Sequence, residues 1–345
     1  MLVVPLNWGL GHATRIIPLI RRFIEEGKNV FIAGSPRHLK ILSAEFPEII
    51  TLEIPYARIR FDTGRNLLLS LFWQLPAFLI QIIREHLALK KIIGKYNIGL
   101  VLSDNCYGLW NKYIHSIFLT HQVNIIPPPA LQRLNKILNK INHRFIEKYD
   151  ECWIPDQEED GGYTGTLSHG SLPKTKISYI GVLSRFKPAE YNRKKIRVKP
   201  NQILFLISGP ENQRTTFEDM IKTQLKHIPD DYDYVVVRGK PDETSSLPVK
   251  WYNHLPSDEL MTLIADSAVI ICRSGYSTIM DLLAMKKTAV LIPTPRQTEQ
   301  EYLAQYLSSK DLFVAMDQNE FSIEGALQKL KVLGKHRPGE SAKQP

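Results

Sequence analysis

The stretch VIICRSGYSTIMD, residues 269–281, decides the fold. Val269 to Cys272 read as a short buried strand, Arg273, Ser274 and Gly275 turn the chain, and a helix follows with Ser277 and Thr278 in its first turn. Strand, tight turn and helix make one step of a βαβ unit. Backbone N–H groups and hydroxyls at such a helix start form a ready site for a diphosphate. Asp281, about one turn further on, stands where a carboxylate accepts both hydroxyls of a ribose. The competing reading makes Ser277 and Thr278 ordinary caps and Asp281 a simple response to the helix dipole.

A second loop, PTPRQTEQ at 293–300, again leaves a strand with polar groups before a helix and adds Gln297, Glu299 and Gln300 to the candidate donor-binding set. Two such loops at neighbouring strand ends favour a binding site over capping alone. Upstream, the apolar run Ile203 to Ile207 ends in SGPENQR, residues 208–214, which contributes Ser208, Gly209 and Arg214.

The first half opens on the same plan. Leu2 to Leu6 form a strand, NWGLGHAT at 7–14 turns the chain, and a helix carries Ile16, Ile17, Leu19, Ile20, Phe23 and Ile24 on one face up to Gly27. Gly11 and His12 then sit at a helix N-terminus beyond the carboxyl end of a first strand, where open α/β sheets bind ligands. A helix N-terminus favours the neutral imidazole, which accepts a proton near pH 7, so His12 is the candidate general base; local capping is the alternative. A dinucleotide site fits less well, because Thr14 stands at the third glycine position and Gly34-Ser35 end the second strand without an acidic residue. Asp104 and Asn105 follow the strand Ile98 to Leu102, and His121 follows Ile117 to Thr120. With Asn7 they are candidates for the acceptor side or for orienting His12, Asp104 foremost.

Along the whole chain, short apolar runs alternate with helical patterns, which predicts parallel sheets covered by helices. In the first half further strands are expected at Val30–Ala33, Ile50–Ile54, Cys152–Pro155 and Ile177–Ile180. In the second they are expected at Tyr234–Val237, Val249–Tyr252, Ala289–Ile292 and Leu312–Ala315. The basic segment RFKPAEYNRKKIRVKP at 185–200 reads as a linker, giving domains 1–184 and 201–334 and a flexible tail at 335–345. The architecture expected is α/β: two Rossmann-like domains with parallel sheets facing across a cleft.

A formal charge of +9 favours anionic partners, though no basic stripe interleaved with aromatics supports nucleic acid. Cys106, Cys152 and Cys272 are odd in number and widely spaced, which suggests neither disulfides nor a zinc site. The first residues lack a signal peptide's basic region and cleavage site, so the cytoplasm is expected. The apolar stretch Leu67 to Ile83 contains Gln74, Pro76 and Gln81 and is short for a membrane span. The segment Leu131 to Lys148 places Leu134, Ile137, Leu138, Ile141 and Phe145 near one helical face, with Arg133, Lys136, Lys140, Arg144 and Lys148 around it. Such a helix either lies on an anionic bilayer or turns its apolar face to the core, and the core-facing account is preferred. Asp231-Tyr232-Asp233 matches a cation-holding D-x-D, but its place in a polar turn before a strand argues against a metal.

The stretch from Trp251 to Ala304 resembles the donor-binding half of the family that includes the lipid-linked peptidoglycan N-acetylglucosaminyltransferase. That resemblance implies the GT-B fold. It also implies donor binding by the segment from Arg273 to Asp281, with Asp281 in the ribose role as a shorter residue where the family has Glu. Gln300 falls on a family glutamine, Glu299 replaces another, and Leu303 stands where asparagine is usual, so the sugar does not carry over. The G-x-G-H segment resembles the family's first glycine-rich loop, with His12 at the position of its proposed base. Residues 208–214 take the place of its interdomain loop, with fewer glycines.

Together these readings predict a hexosyl transfer from a nucleotide-sugar donor, UDP-linked by resemblance, to an acceptor hydroxyl. Inversion at the sugar is expected, with no metal and no cofactor. A lipid-linked or saccharide acceptor and peripheral contact with the inner membrane face would follow. The alternatives are a nucleotide-sugar epimerase of the same paired fold, which needs carboxylates around the sugar ring, and a non-catalytic nucleotide-binding protein.

Overall fold

The computed structural model describes residues 1–56, 67–186, 198–244 and 248–336, the side chains of 67–74 and 335–336 excepted. The chain divides into two compact units, Met1–Arg185 and Phe186–Pro345. Residues 187–197 of the expected linker lie outside the described residues, while Lys199 and Pro200, read from sequence as linker, already open a strand. The last helix, Ile323–His336, runs two residues into the expected tail, and 337–345 lie outside the description.

The first unit holds a seven-stranded sheet in the order β3-β2-β1-β4-β5-β6-β7, with every described pairing parallel. Its strands are β1 Leu2–Pro5, β2 Phe31–Gly34, β3 Ile50–Glu53, β4 Leu100–Asp104, β5 His115–Leu119, β6 Glu151–Ile154 and β7 Lys176–Tyr179. Leu2 to Pro5 are all buried, as a central parallel strand covered on both faces must be. One face packs Val3, Leu102 and Ile117 against helix residues such as Ile16, Ile20 and Phe23. The other packs Leu2, Val4 and Val101 against Leu89 and Ile98.

The second unit holds six parallel strands ordered β10-β9-β8-β11-β12-β13. They are β8 Lys199–Leu206, β9 Asp233–Val237, β10 Trp251–Tyr252, β11 Ser267–Cys272, β12 Val290–Leu291 and β13 Val314–Ala315. Ile203, Phe205, Ile271 and Val290 form its core with Phe217, Phe321 and Ile323.

In each sheet the strand order reverses beside the first strand, between β1 and β4 and between β8 and β11. Loops leaving the carboxyl ends of those strands diverge to opposite faces and open a crevice there. The two glycine turns singled out in the sequence both lie at such a point.

One helix differs from its sequence pattern. The expected run to Gly27 divides into α1, Leu10–Arg15, and α2, Ile17–Glu25. Pro18 has no N–H to give to the Thr14 carbonyl, so the ladder breaks at Ile16. After α3, Pro36–Glu45, the apolar stretch begins a 30-residue helix, α4, Leu67–Tyr96, with Pro76 inside it. Among the described residues no helix is long and apolar enough to cross a membrane.

Candidate active site

The first unit gathers its polar residues around Asp104, the last residue of β4. Asp104 is fully buried, and His12 lies with Nδ1 at 3.0 Å from its Oδ2. Arg15, one helical turn after His12 and 2% exposed, donates Nε–H to the same Oδ2 at 3.0 Å and Nη2–H to Oδ1. Burial alone would push the Asp104 carboxyl up; the Arg15 guanidinium, and then His12, outweigh it and hold it at about 2. An ionised carboxylate only accepts, so His12 donates from Nδ1 and keeps its lone pair on Nε2. The arginine also donates Nη1–H to Nδ1 of His121 at 2.8 Å, which puts the His121 proton on Nε2. The result is one connected chain, His12–Asp104–Arg15–His121.

Asn7 and Asn105 stand beside this chain rather than in it. Asn7 accepts the Ser35 hydroxyl through Oδ1, tying the first loop to the end of β2. Asn105, at a φ of 56°, donates its backbone N–H to the Leu119 carbonyl at 3.1 Å and turns the chain away from β4. Gly9 precedes α1 at a φ of 97°, which favours glycine, and Gly11 lies in α1 with its carbonyl accepting from Thr14 Oγ1 at 3.2 Å. His38 of α3 donates Nε2–H to the Gly9 carbonyl at 2.9 Å. Burial first, then the charge of His12, lower it to about 4, so it is a neutral brace for the loop.

Arg15 and His38 are absent from the sequence-derived set. For Arg15 a signal existed: three residues after His12 on a helix, it shares the face of the histidine. For His38, at helix spacing from nothing catalytic, there was none. His12 itself differs in setting, because α1 has only six residues and contributes little dipole; Asp104 fixes its tautomer instead.

In the second unit two helices begin without side-chain caps at neighbouring strand ends. Tyr276–Ala284 follows β11 with Gly275 as N-cap, and Thr298–Ser309 follows β12 with Gln297 as N-cap. Neither Ser277 nor Thr278 is the cap, so the first-turn N–H groups are not claimed by a capping hydroxyl. A Cβ built on Gly275 meets no atom within 4 Å, and Ser277 and Thr278 are part-exposed. The Thr294 hydroxyl, on the loop after β12, is buried with no hydrogen-bond partner. Asp281 is 6% exposed, one turn into its helix, while Gln297 and Glu299 are part-exposed at the start of the next. On the loop after β8, Ser208 is half-buried and Gly209, at a φ of 108°, is exposed with open space at its Cβ position.

Three of the expected donor ligands are engaged in bonds within the second unit. Arg273 is fully buried: Nη1 donates to the Ile292 and Pro293 carbonyls, both at 3.2 Å, and Nη2 to the Gln213 carbonyl at 3.3 Å and Gln318 Oε1 at 2.7 Å. Its guanidinium lies 4.1 Å from the centre of the Phe217 ring, and burial lowers it to about 10, leaving it charged at neutral pH. Ser274 is fully buried and donates to the Gln300 carbonyl at 2.9 Å. Gln300 accepts the Thr294 N–H through Oε1 at 2.9 Å. These bonds tie the two loops together. Arg214 is engaged as well, with Glu211 and with the Gly239 carbonyl at 2.5 Å.

Among the described residues no cluster of three or more His, Cys, Asp or Glu could hold a metal ion. The carboxylate of Asp233, from the D-x-D, pairs with Lys250.

The basic amphipathic helix also departs from the preferred reading. In α5, Asn135–Ile146, the buried residues are Asn142 and Ile146, whereas Ile137 and Ile141, and Leu134 just before the helix, are exposed at 56%, 46% and 43%. Tyr107 bonds Asn142 at 2.7 Å and packs its ring on Phe78 of α4 and Phe145 of α5, so the two helices are neighbours. Helix α4 exposes Leu75, Leu79, Ile83 and Leu87 at i, i+4 spacing, with Ile80 beside them. Gly108 permits the close approach of α4 to the loop after β4, since a Cβ there would lie 2.2 Å from the Ile82 carbonyl oxygen.

Residues 211–344 match the glycosyltransferase family 28 C-terminal domain. Over 342 residues, 95% of this chain and 88% of the relative, the sequence is 23% identical to the UDP-N-acetylglucosamine–N-acetylmuramyl-(pentapeptide) pyrophosphoryl-undecaprenol N-acetylglucosamine transferase of Clostridium perfringens. The solved glycotransferase of kitacinnamycin superposes with a TM-score of 0.66 at 13% identity, covering 96% of this chain and 89% of that one. MurG of Acinetobacter baumannii superposes with a TM-score of 0.52 at 12% identity, covering 97% and 90%. The fold is GT-B.

Proposed function

From a GT-B glycosyltransferase that carries the family 28 C-terminal domain, we propose a more specific activity: inverting, metal-independent transfer of a sugar from a UDP-linked donor to an acceptor hydroxyl. The observation that carries this reading is the 3.0 Å contact between His12 Nδ1 and a carboxylate buried against Arg15, which presents Nε2 as a proton acceptor. Nε2 takes the proton of the acceptor hydroxyl as its oxygen attacks the anomeric carbon. The bond from that carbon to the diphosphate oxygen breaks, and its electron pair leaves with the nucleotide. Attack opposite the leaving group inverts the centre.

The uncapped helix starts at Tyr276 and Thr298 supply N–H groups and positive dipole ends for the departing diphosphate, a task that a metal performs elsewhere. Asp281 takes the ribose hydroxyls. The epimerase alternative weakens, because Asp104, the carboxylate of the first-unit site, is fully buried against Arg15 and is not presented to a sugar ring.

The exposed apolar stripes of α4 and α5, flanked by the exposed cations Arg84, Lys136, Lys140 and Arg144, favour a lipid-linked acceptor met at an anionic membrane surface. This surface would place the protein at the inner face of the membrane.

Thermal stabilisation by UDP, GDP, dTDP, ADP, NAD and their sugar conjugates tests the donor. A shift with UDP or a UDP-sugar that Asp281→Ala abolishes is expected. His12→Ala is expected to keep that shift and lose turnover. A response to NAD alone, or turnover surviving in His12→Ala, refutes the reading.

A further inference from the structure

Arg15 takes no part in the proposed chemical steps, yet it is the most buried cation of the first-unit site. Its guanidinium covers both oxygens of Asp104, the same carboxylate that orients His12. A lone buried carboxylate beside an imidazole stabilises the imidazolium and draws a proton onto the ring, which spoils a base at neutral pH. An arginine bound to that carboxylate cancels the attraction while leaving the hydrogen bond in place. We propose that Arg15 is a positioning residue that tunes the site: it locks Asp104 as a charge-neutralised acceptor, so that His12 is held in one tautomer yet remains unprotonated.

The groups facing His12 agree with this division of labour. Asp104 comes from the end of β4 and contacts His12 directly. Arg15 lies on the same helix as His12, and its Nη1 is backed by His121, which follows β5. His38, from α3, is neutral and feels the charges of Arg37 and Asp104. The anion that would charge His12 is therefore opposed by the buried Arg15, whose Nη1 is held by His121.

The inference rests on the reading of His12 as the base, and its test separates the two. In protein labelled at histidine, the His12 ring is titrated by NMR in the wild type, Arg15→Gln, Arg15→Lys and the double variant Arg15→Gln/Asp104→Asn. Removing the cation is expected to raise the His12 midpoint by about one to two pH units, the size of one neighbouring charge at an effective dielectric of about 20. Arg15→Lys, which keeps the charge, is expected to move it far less. The double variant removes both charges, relieves any folding defect caused by an unpaired Asp104, and is expected to return the midpoint towards the wild type. With activity as readout, the acid limb of kcat/KM follows the same displacement.

An unchanged midpoint in Arg15→Gln, or equal midpoints in Arg15→Gln and the double variant, overturns the proposal. If the midpoints move as expected while His12→Ala retains turnover, the tuning stands and the assignment of His12 as base falls.

Discussion

Replacing Arg273 by lysine separates two roles that its position in the glycine turn leaves open. Lysine keeps the positive charge, so a residue needed only as a cation for the diphosphate would tolerate the change in part. In the structure Arg273 is bonded on several sides within its own unit. Its fork joins the Ile292 and Pro293 carbonyls, after β12, to the Gln213 carbonyl and Gln318, and it stacks on Phe217. One ammonium cannot span those directions. Losing two of the four bonds costs about 1.5–3 kcal/mol each, and losing the ring contact adds about 1–2 kcal/mol, offset by whatever the lysine recovers. Arg273→Lys should therefore destabilise the protein by about 3–5 kcal/mol, in line with breaking a buried charged contact. Urea unfolding followed by circular dichroism reads this directly. Titration calorimetry with UDP, run where the variant is fully folded, should show affinity within a few-fold of the wild type. An unchanged unfolding midpoint together with a tenfold or greater loss of UDP affinity would refute the scaffold role and restore Arg273 as a ligand.

Asp104 makes stability depend on acid: its carboxyl sits at about 2 against an ordinary 3.8, so the unfolded chain binds the proton first as pH falls. The stabilisation is complete above about pH 4 and is lost on the way down through about 2; it amounts to roughly 2–3 kcal/mol. Asp104→Asn should flatten that part of the urea-midpoint profile between pH 4 and 2, and an unaltered slope would show that the carboxylate is not held down. Gly275→Ala should leave the unfolding midpoint within about 0.5 kcal/mol, since its φ of −72° suits any residue and its Cβ meets open space. The same methyl should weaken UDP binding tenfold or more by calorimetry, and unchanged affinity would remove that helix start from the donor site. Cys106, Cys152 and Cys272 are buried free thiols, Cys106 pushed up well above and the other two to about 12 by burial. A thiol reagent should find none of them in the native protein and all three in denaturant.

The strands were readable because parallel sheets bury both faces, and short apolar runs such as Leu2–Pro5 and Val269–Cys272 carry that requirement in plain composition. Their ends moved by one to four residues where the pairing partner, not the run, sets the length. Ladder pairing with Ser267 draws Lys199 into β8, ahead of its apolar part. The break before Pro18 was also local, and weighing that proline would have shortened the helix. Helix α5 was different: its apolar spacing is equally good for a core face or a lipid face. Only the packing of Tyr107 against Asn142 and Phe145 shows which side is covered. The site follows the same rule. His12 and Asp104 stand out in the sequence because each ends or follows a strand at a switch point, a property of position alone. What Arg273 and Arg15 do depends on partners 19 to 60 and 89 to 106 residues away, which no spacing reveals. A glycine turn thus announces where a ligand can approach. Which of its side chains face that ligand, and which brace the turn, is settled by long-range satisfaction of buried polar groups. By that criterion the donor contacts should come from backbone N–H groups and from Ser277, Thr278 and Asp281, while the arginine in the motif holds the loops that present them.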